Sequence, residues 1–521
     1  MRLPSIVDRF ETKLAGRLDR WKLLLLGAYT LIYMTGTCVL AARRPLWNDE
    51  LYTYYMSRLP GFAAVWAALM SGGEQLPPLF FAITRAALRV SGNGSLPLRL
   101  PAILGFWVMG LCLFQFVSSR TSTVYGLVAA LFPLVTGAYY YAYEARPYGL
   151  VLGFGALSLL CWQAATEGRR RLSLALLALS LAAAVSNHYY AVLLYFPLAL
   201  GEAARTLARR RIDWAIWAAF LISAAPLVLF LPLIRKARAY SGTFWAPPRW
   251  VAVPDFYQGL LVPSALLLLA LLFLAAIKQT VDSPKLSAAE AGPRARPALH
   301  EVVAAAGFVI IPVVAVLLAK FVTRAFTDRY AMPCVIGMGA LVALSSHRLL
   351  NGRVIWGCMA TLCLCGWFTF NEARAFLDLA GAGSKHAQAI KLLQSGADLP
   401  IVISDPHTVV EFSYYAPPEI TSRMVYLADP SASLRHLGFD SVDRGMRDLV
   451  GPWFGVNVAD YKQFMARRRQ FWVYGNLGFL SWLIDELQKE DVKIELKDHQ
   501  GGNFLFLVTP REQTDQEDRS L

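Results

Sequence analysis

The chain has 521 residues, of which 56% are hydrophobic and only 17% charged, with a net charge of +14 and a mean hydropathy of +0.43. Soluble chains carry about 25% charge; here the charges are clumped and leave apolar runs of the roughly 18 residues that a bilayer requires. That excludes a soluble globular protein, and because the basic excess sits in short loops beside apolar runs it reads as lipid-facing charge, with no nucleic-acid partner.

In chain order, Met1 to Lys22 is polar and basic and leads into an apolar run at 23–42 with no small-residue cleavage site behind it. It reads as an uncleaved anchor and not as a signal peptide. The stretch 43–97 is polar. Helices are expected at 52–70 and 78–90, lying in the interface, because Arg85, Arg89 and Arg99 interrupt the apolar pattern. Further spans are expected near 100–118, 122–141, 148–166, 172–187, 190–206, 213–234, 257–277, 301–322, 331–346 and 353–371, roughly eleven with the first, at about 20 residues each.

Lys/Arg asymmetry orients these spans. With the N-terminus on the cytoplasmic side, the inner loops hold Arg120, Arg169 to Arg171, Arg209 to Arg211, the 278–298 loop, Arg348 and Arg353. An odd number of spans then places the C-terminus outside. Arg146, Arg235, Lys236, Arg238, Arg249, Arg324 and Arg329 fall on the outer side, where topology does not call for them.

From about 375 the apolar runs shorten to strand length: Leu399 to Ser404, Met424 to Leu427, Phe471 to Tyr474, Val492 to Leu496 and Phe504 to Val508. Helix-like segments at 384–395 and 478–490 lie between some of them, which predicts a small α/β domain. The expected organisation is a multi-span membrane domain over 1–374, an extracytoplasmic α/β domain over 375–510 and a disordered tail over 511–521. The seven cysteines all fall in apolar stretches, none with zinc spacing to a histidine, so Cys363-x-Cys365 reads as packing and not as a redox pair.

Five outer segments carry candidate chemistry. Trp47-Asn48-Asp49-Glu50 sets two carboxylates at the membrane surface, costly unless hydrated, paired or used; the plainer reading is that Asn48 or Asp49 caps a helix. Glu74-Gln75-Leu76-Pro77-Pro78-Leu79 ends the first loop in a rigid turn. Tyr139 to Tyr148 encloses Glu144-Ala145-Arg146-Pro147, where a guanidinium held before a proline suits a phosphate, because its fork makes two parallel hydrogen bonds; an aromatic belt with a snorkelling Arg146 is the alternative. Asn187-His188-Tyr189-Tyr190 and Asp328-Arg329-Tyr330 complete the set. No Gly-rich phosphate loop, HExxH or GxSxG occurs.

In this order, these residues resemble the GT-C superfamily of membrane glycosyltransferases, and within it the branch of protein O-mannosyltransferases and lipid A aminoarabinose transferases. The likeness rests on Asp49-Glu50 after the first span, Pro77-Pro78-Leu79 before an interfacial helix, Leu98-Arg99-Leu100-Pro101, Ala145-Arg146-Pro147, His188-Tyr189-Tyr190, and Arg329-Tyr330 with Pro333, over roughly 20–375. The chain departs from the pattern at Leu76, where the family often has His; at Gln75, where the lipid A branch has a phosphate-binding Lys; and at Tyr148, where many members have Asp.

The resemblance implies a GT-C-like polytopic helical fold and an outward-facing active site in a bacterial inner membrane. It implies inverting transfer from an undecaprenyl- or dolichyl-phosphate sugar to a lipid, glycan or protein acceptor. It assigns Asp49 and Glu50 to catalysis, Arg146, Arg329 and His188 to the donor phosphate, and Glu74, Tyr143 and Tyr330 to substrate. Use of a divalent metal stays open, with Glu74 the candidate ligand. A glycolipid transporter or flippase and a non-catalytic scaffold are the competing readings; against the first, the unexplained charges gather at turns and not at the bilayer midplane, and no inverted repeat is visible.

Overall fold

The computed structural model describes residues 6–168, 170–262, 297–394, 398–467, 469–476, 481–500 and 502–510, with two isolated positions at 269 and 273. Most of the expected span at 257–277 and the tail at 511–521 lie outside the described residues. The chain divides into two compact units. A membrane unit comprises 1–43, 76–231 and 248–377, and a C-terminal unit comprises 44–75, 232–247 and 378–521.

Six helices of the described residues are long and apolar enough to cross a membrane: Lys22–Arg43, Ser95–Ser118, Tyr148–Thr166, Tyr189–Arg209, Leu299–Thr323 and Val354–Leu379. The bent pair Trp214–Leu229 and Leu231–Thr243, kinked by 63°, makes a seventh if it counts as one span. The protein is an integral membrane protein. Several other expected spans are present as shorter helices. The run expected over 122–141 forms a helix only over Thr123–Leu131, then passes into 3-10 turns at Phe132–Val135 and Gly137–Ala142. Pro133, which lacks an amide hydrogen, and Gly137 stand where the helix gives way. Cys334–Leu349 has 16 residues, and the helix expected over 353–371 continues to Gln394.

The interfacial segments hold as helices, with one correction. The stretch 52–70 is two helices, Asn48–Arg58 and Phe62–Leu69, parted at Leu59-Pro60-Gly61, a breaker pair. Pro78–Ser91 begins on its prolines and has 14 residues, about 21 Å at 1.5 Å per residue, too short for a hydrocarbon core of about 30 Å. It buries Phe80, Phe81, Thr84 and Leu88 along one face.

Glycine lets the membrane helices approach. A Cβ on Gly149 would overlap the Ala102 backbone, and one on Gly153 the Gly105 backbone, so Ser95–Ser118 and Tyr148–Thr166 meet main chain to main chain. This is the small-xxx-small contact that replaces hydrophobic driving force in lipid. Several buried polar groups find partners. Arg99, wholly buried, donates to the Ala41 carbonyl at 2.6 Å, and Tyr33 donates to the Ile103 carbonyl at 2.8 Å. Near the far end of Ser95–Ser118, the buried Glu301 accepts from Arg120 at 2.5 Å and from Gln163 at 2.9 Å. The buried Glu202 accepts from Trp162 at 3.0 Å and pairs with Arg205 at 2.8 Å.

The C-terminal unit holds a six-stranded sheet in the order β3-β2-β1-β4-β6-β5, formed by Ile401–Ile403, Met424–Ala428, Val458–Asp460, Phe471–Asn476, Val492–Gln500 and Asn503–Pro510 as β1 to β6. The first four strands are parallel, with Val402 opposite both Val425 and Val473; β6 joins β4 and β5 in antiparallel pairing. Every residue of β1 and β2 is buried, as parallel strands covered on both faces must be. Asp405-Pro406 and Asp429-Pro430 start the helices after β1 and β2, with the aspartate as cap and the proline as first helical residue. The five strands read from sequence are all present. β3, three residues long, is an addition, and the helix expected over 478–490 is described only as Leu483–Leu487.

Candidate functional site

In the membrane unit, the turns after three helices bring sequence-distant groups together. His188 caps the 3-10 turn Tyr189–Leu194, its Nδ1 accepting the Tyr190 amide at 3.1 Å. A neutral imidazole that accepts at Nδ1 carries its proton on Nε2 and can donate there. The ring of His188 lies 5.1 Å from Tyr330 and 5.3 Å from Tyr148, and Tyr330 stacks on Tyr190 at 4.2 Å. The Arg329 guanidinium lies over the Tyr148 ring at 5.8 Å. Tyr190 hydroxyl donates to the Ala325 carbonyl, which ties the turn before Arg329 to the turn after His188. A small cavity is lined by Tyr148, His188, Tyr190, Arg329, Tyr330 and neighbouring apolar residues.

Arg146 belongs to the same cluster. It is 7% exposed, and Glu144, two residues before it, is 1% exposed; the Arg146 amide donates to the Glu144 carbonyl at 2.7 Å. Burial, with the charges of Arg146 and then Arg329 beside it, pushes the His188 pKa down to about 3. The imidazole is therefore neutral at physiological pH, and the two guanidiniums supply the positive charge of the cluster. Tyr143 packs edge-on to Tyr139 at 5.3 Å within the aromatic turn. Glu144 carries no role in the sequence reading. Its signal was a carboxylate two positions from Arg146 in an otherwise aromatic and apolar stretch, which must be matched by partners if it is buried.

The remaining candidates belong to the C-terminal unit. Trp47, and not Asn48 or Asp49, holds the cap position of the helix Asn48–Arg58, its amide donating to Glu50 Oε2 at 3.4 Å. Asn48, Asp49 and Glu50 form the first turn, where the helix dipole favours negative charge by roughly 0.3–1 kcal/mol. Glu50 is wholly buried and Asp49 half-buried. Aromatic packing fixes this helix. Tyr55 stacks on Phe454 at 5.0 Å, Tyr52 meets the same ring edge-on at 5.2 Å, and Tyr54 meets Tyr414 at 5.1 Å. The Leu46 amide donates to the Tyr415 hydroxyl at 2.6 Å.

Glu74, 8% exposed, accepts the Gln75 amide at 2.9 Å. Its approach is set by Gly72, at φ +84° against the Tyr240 ring, and by Gly73, whose Cβ would lie 2.7 Å from Leu449 Cβ. Tyr240 is held by a hydrogen bond to Asp448 at 3.0 Å and by the Arg444 guanidinium over its ring at 4.0 Å. Among the described residues, no group of three or more His, Cys, Asp or Glu side chains could hold a metal ion.

Residues 75–234 match the family model described as dolichyl-phosphate-mannose-protein mannosyltransferase. The structure is similar to that of ArnT from Cupriavidus metallidurans in the apo state, with a TM-score of 0.58 and 12% identity over 93% of this chain and 97% of that one. It is similar also to the same protein bound to undecaprenyl phosphate, with a TM-score of 0.57 and 11% identity over the same shares. The chain has the GT-C fold. The resemblance read from the ordered turn motifs is thereby borne out at the level of the fold, including the small sheet domain at the C-terminus. No curated protein sequence matches the chain.

Proposed function

We propose that this GT-C protein is an inverting glycosyltransferase. It takes a sugar from a polyprenyl-phosphate carrier and passes it to an envelope lipid, glycan or protein hydroxyl on the outer face of the membrane. The observation that carries this reading is the gathering of Arg146, Arg329, His188 and Tyr330 at helix-connecting turns of the membrane unit, in a fold shared with a protein that binds undecaprenyl phosphate.

In the proposed reaction, the acceptor oxygen attacks the anomeric carbon from the face opposite the carrier. The bond between that carbon and the phosphate oxygen breaks, and the polyprenyl phosphate leaves with its electron pair. Asp49 accepts the proton of the acceptor hydroxyl, and the buried Glu50, fixed at the third position of the same helix, orients that turn. Arg146 and Arg329 stabilise the charge that develops on the leaving phosphate, which fixed cations in a water-poor site do better than solvent. His188 adds a neutral N–H donor. Tyr143 and Tyr330 offer aromatic faces and hydroxyls to the substrate.

With an anomerically defined donor, the product is expected to carry the opposite configuration. Asp49→Asn should lower the transfer rate about 100-fold or more while donor binding stays within twofold of wild type. Retention of configuration, or full activity of Asp49→Asn, would contradict the assignment.

A further inference from the structure

The C-terminal unit carries a groove that the proposed chemistry does not use. It has a volume of about 370 Å³ and opens to solvent at the carboxyl ends of β2 and β3, between Pro430, Arg447, Pro452, Val456, Asn457 and Asp460. Ligand pockets run to about 300–1,000 Å³, and open parallel sheets bind ligands outside the carboxyl ends of their strands. The usual place is the point where strand order reverses, here between β1 and β4. At that point a Cβ on Gly475 would overlap the Ser404 hydroxyl, so the two strand ends pack directly on each other. The open space lies one strand further out.

The charges of the groove select its occupant. Arg447 is matched by Asp448 at 2.7 Å. The helix amides that face an anion at such strand ends are already taken: Asp429 accepts those of Ser431 and Ala432 at 2.9 and 3.0 Å, and Asp460 accepts that of Gln463 at 3.0 Å. A phosphate would therefore meet more carboxylate than cation. What the groove presents is an exposed carboxylate at Asp460, a half-exposed guanidinium, Asn457, whose Nδ2 donates to the Met424 carbonyl at 3.1 Å, and apolar surface at Pro430, Pro452 and Val456. Hydroxyl-binding groups beside flat apolar walls, with no net cation, fit a neutral sugar.

We infer that this groove is a binding site for a neutral glycan. This inference does not rest on the glycosyltransferase reading.

The test is direct binding of chitotriose, mannotriose and maltotriose to the full chain in nanodiscs, with inorganic phosphate as competitor. Wild type, Asp460→Asn, Arg447→Ala and Asp49→Asn are compared. Asn caps a helix nearly as well as Asp, so Asp460→Asn removes the charge and keeps the fold; both groove positions are exposed. The expected result is that at least one neutral trisaccharide binds, at least tenfold more weakly to Asp460→Asn and Arg447→Ala, equally to Asp49→Asn, and without competition from phosphate. Binding of none of the three, binding that survives both groove variants, or displacement by phosphate overturns the site. Sugar transfer from a polyprenyl-phosphate donor is read on the same samples. Its absence beside intact trisaccharide binding overturns the glycosyltransferase reading while the glycan site stands. Transfer that persists without glycan binding overturns the groove alone.

Discussion

His188 shows how a single hydrogen bond settles a residue's chemistry. With Nδ1 accepting the Tyr190 amide at 3.1 Å and burial and two guanidiniums holding the pKa near 3, the ring cannot serve as a cation for the donor phosphate at neutral pH. Its folded pKa lies below the ordinary value of about 6.5. The stability linked to its neutral form is therefore full above pH 6.5 and is lost as pH falls through the acid range toward 3. Two outcomes follow for transfer kinetics. His188→Asn, which keeps a neutral donor and acceptor, should retain activity within about fivefold, while His188→Ala, which leaves the Tyr190 amide without its acceptor, should lose about tenfold, in line with about 1–3 kcal/mol for an abandoned buried donor. Neither the wild type nor the Asn variant should show an inflection near pH 6.5 that belongs to this residue, which pH–rate profiles of the two would reveal. By contrast Arg146, buried in the same cluster, is a permanent cation.

At the scale of the element, the C-terminal sheet hides a carboxylate that makes its stability depend on pH. Asp443, 1% exposed, accepts from Tyr426 at 3.2 Å and Trp482 at 3.0 Å, and burial nonetheless raises its pKa to about 6. An unfolded Asp titrates near 3.9. Between these values the folded chain holds the extra proton, so stability falls as pH rises from about 4 to about 6, by about 3 kcal/mol, and is level above. Thermal unfolding followed by Trp482 fluorescence should show this slope, and Asp443→Asn should flatten it. The same sheet marks what was legible in the sequence. Met424 to Leu427 and Phe471 to Tyr474 announce buried strands by unbroken β-formers, whereas Val458-Ala459-Asp460 is too short to carry a pattern and is a strand only because β2 offers it an edge. The helix before the aromatic turn reads as 20 residues of apolar sequence, yet Pro133 and Gly137 convert its end into 3-10 turns that bear Tyr139. In the site, Arg146, His188 and Arg329 stand out as charges or donors at turns. That Tyr330 would stack on Tyr190 depends on packing between distant segments that no local pattern encodes.

At the scale of the whole molecule, apolar helices meeting at glycines are pinned by buried ion pairs. Glu301, wholly buried, accepts from Arg120, Gln163 and the Ala298 amide, joining the helix Leu299–Leu318 to Tyr148–Thr166 and to the loop after Ser95–Ser118. Removing one partner of such a pair costs about 3–5 kcal/mol, because the other charge stays buried. Glu301→Ala should therefore lower the midpoint of thermal unfolding in detergent markedly, and replacing Glu301 and Arg120 together by Met should recover much of the loss. The second compact unit is assembled from three separate stretches, 44–75, 232–247 and 378–521, so the helix that carries Asp49 and Glu50 owes its rigidity to Phe454, Tyr414 and Tyr415 hundreds of residues later in the chain. The proposed activity is transfer of a sugar from a lipid phosphate. The measurement that tests it most directly is incubation of the purified chain with radiolabelled polyprenyl-phosphate sugars and an envelope extract, beside Asp49→Asn. Label is expected to leave the carrier for a lipid, glycan or protein fraction with wild type and not with the variant. Label that stays on the carrier in both, across a broad panel of sugars, would contradict it.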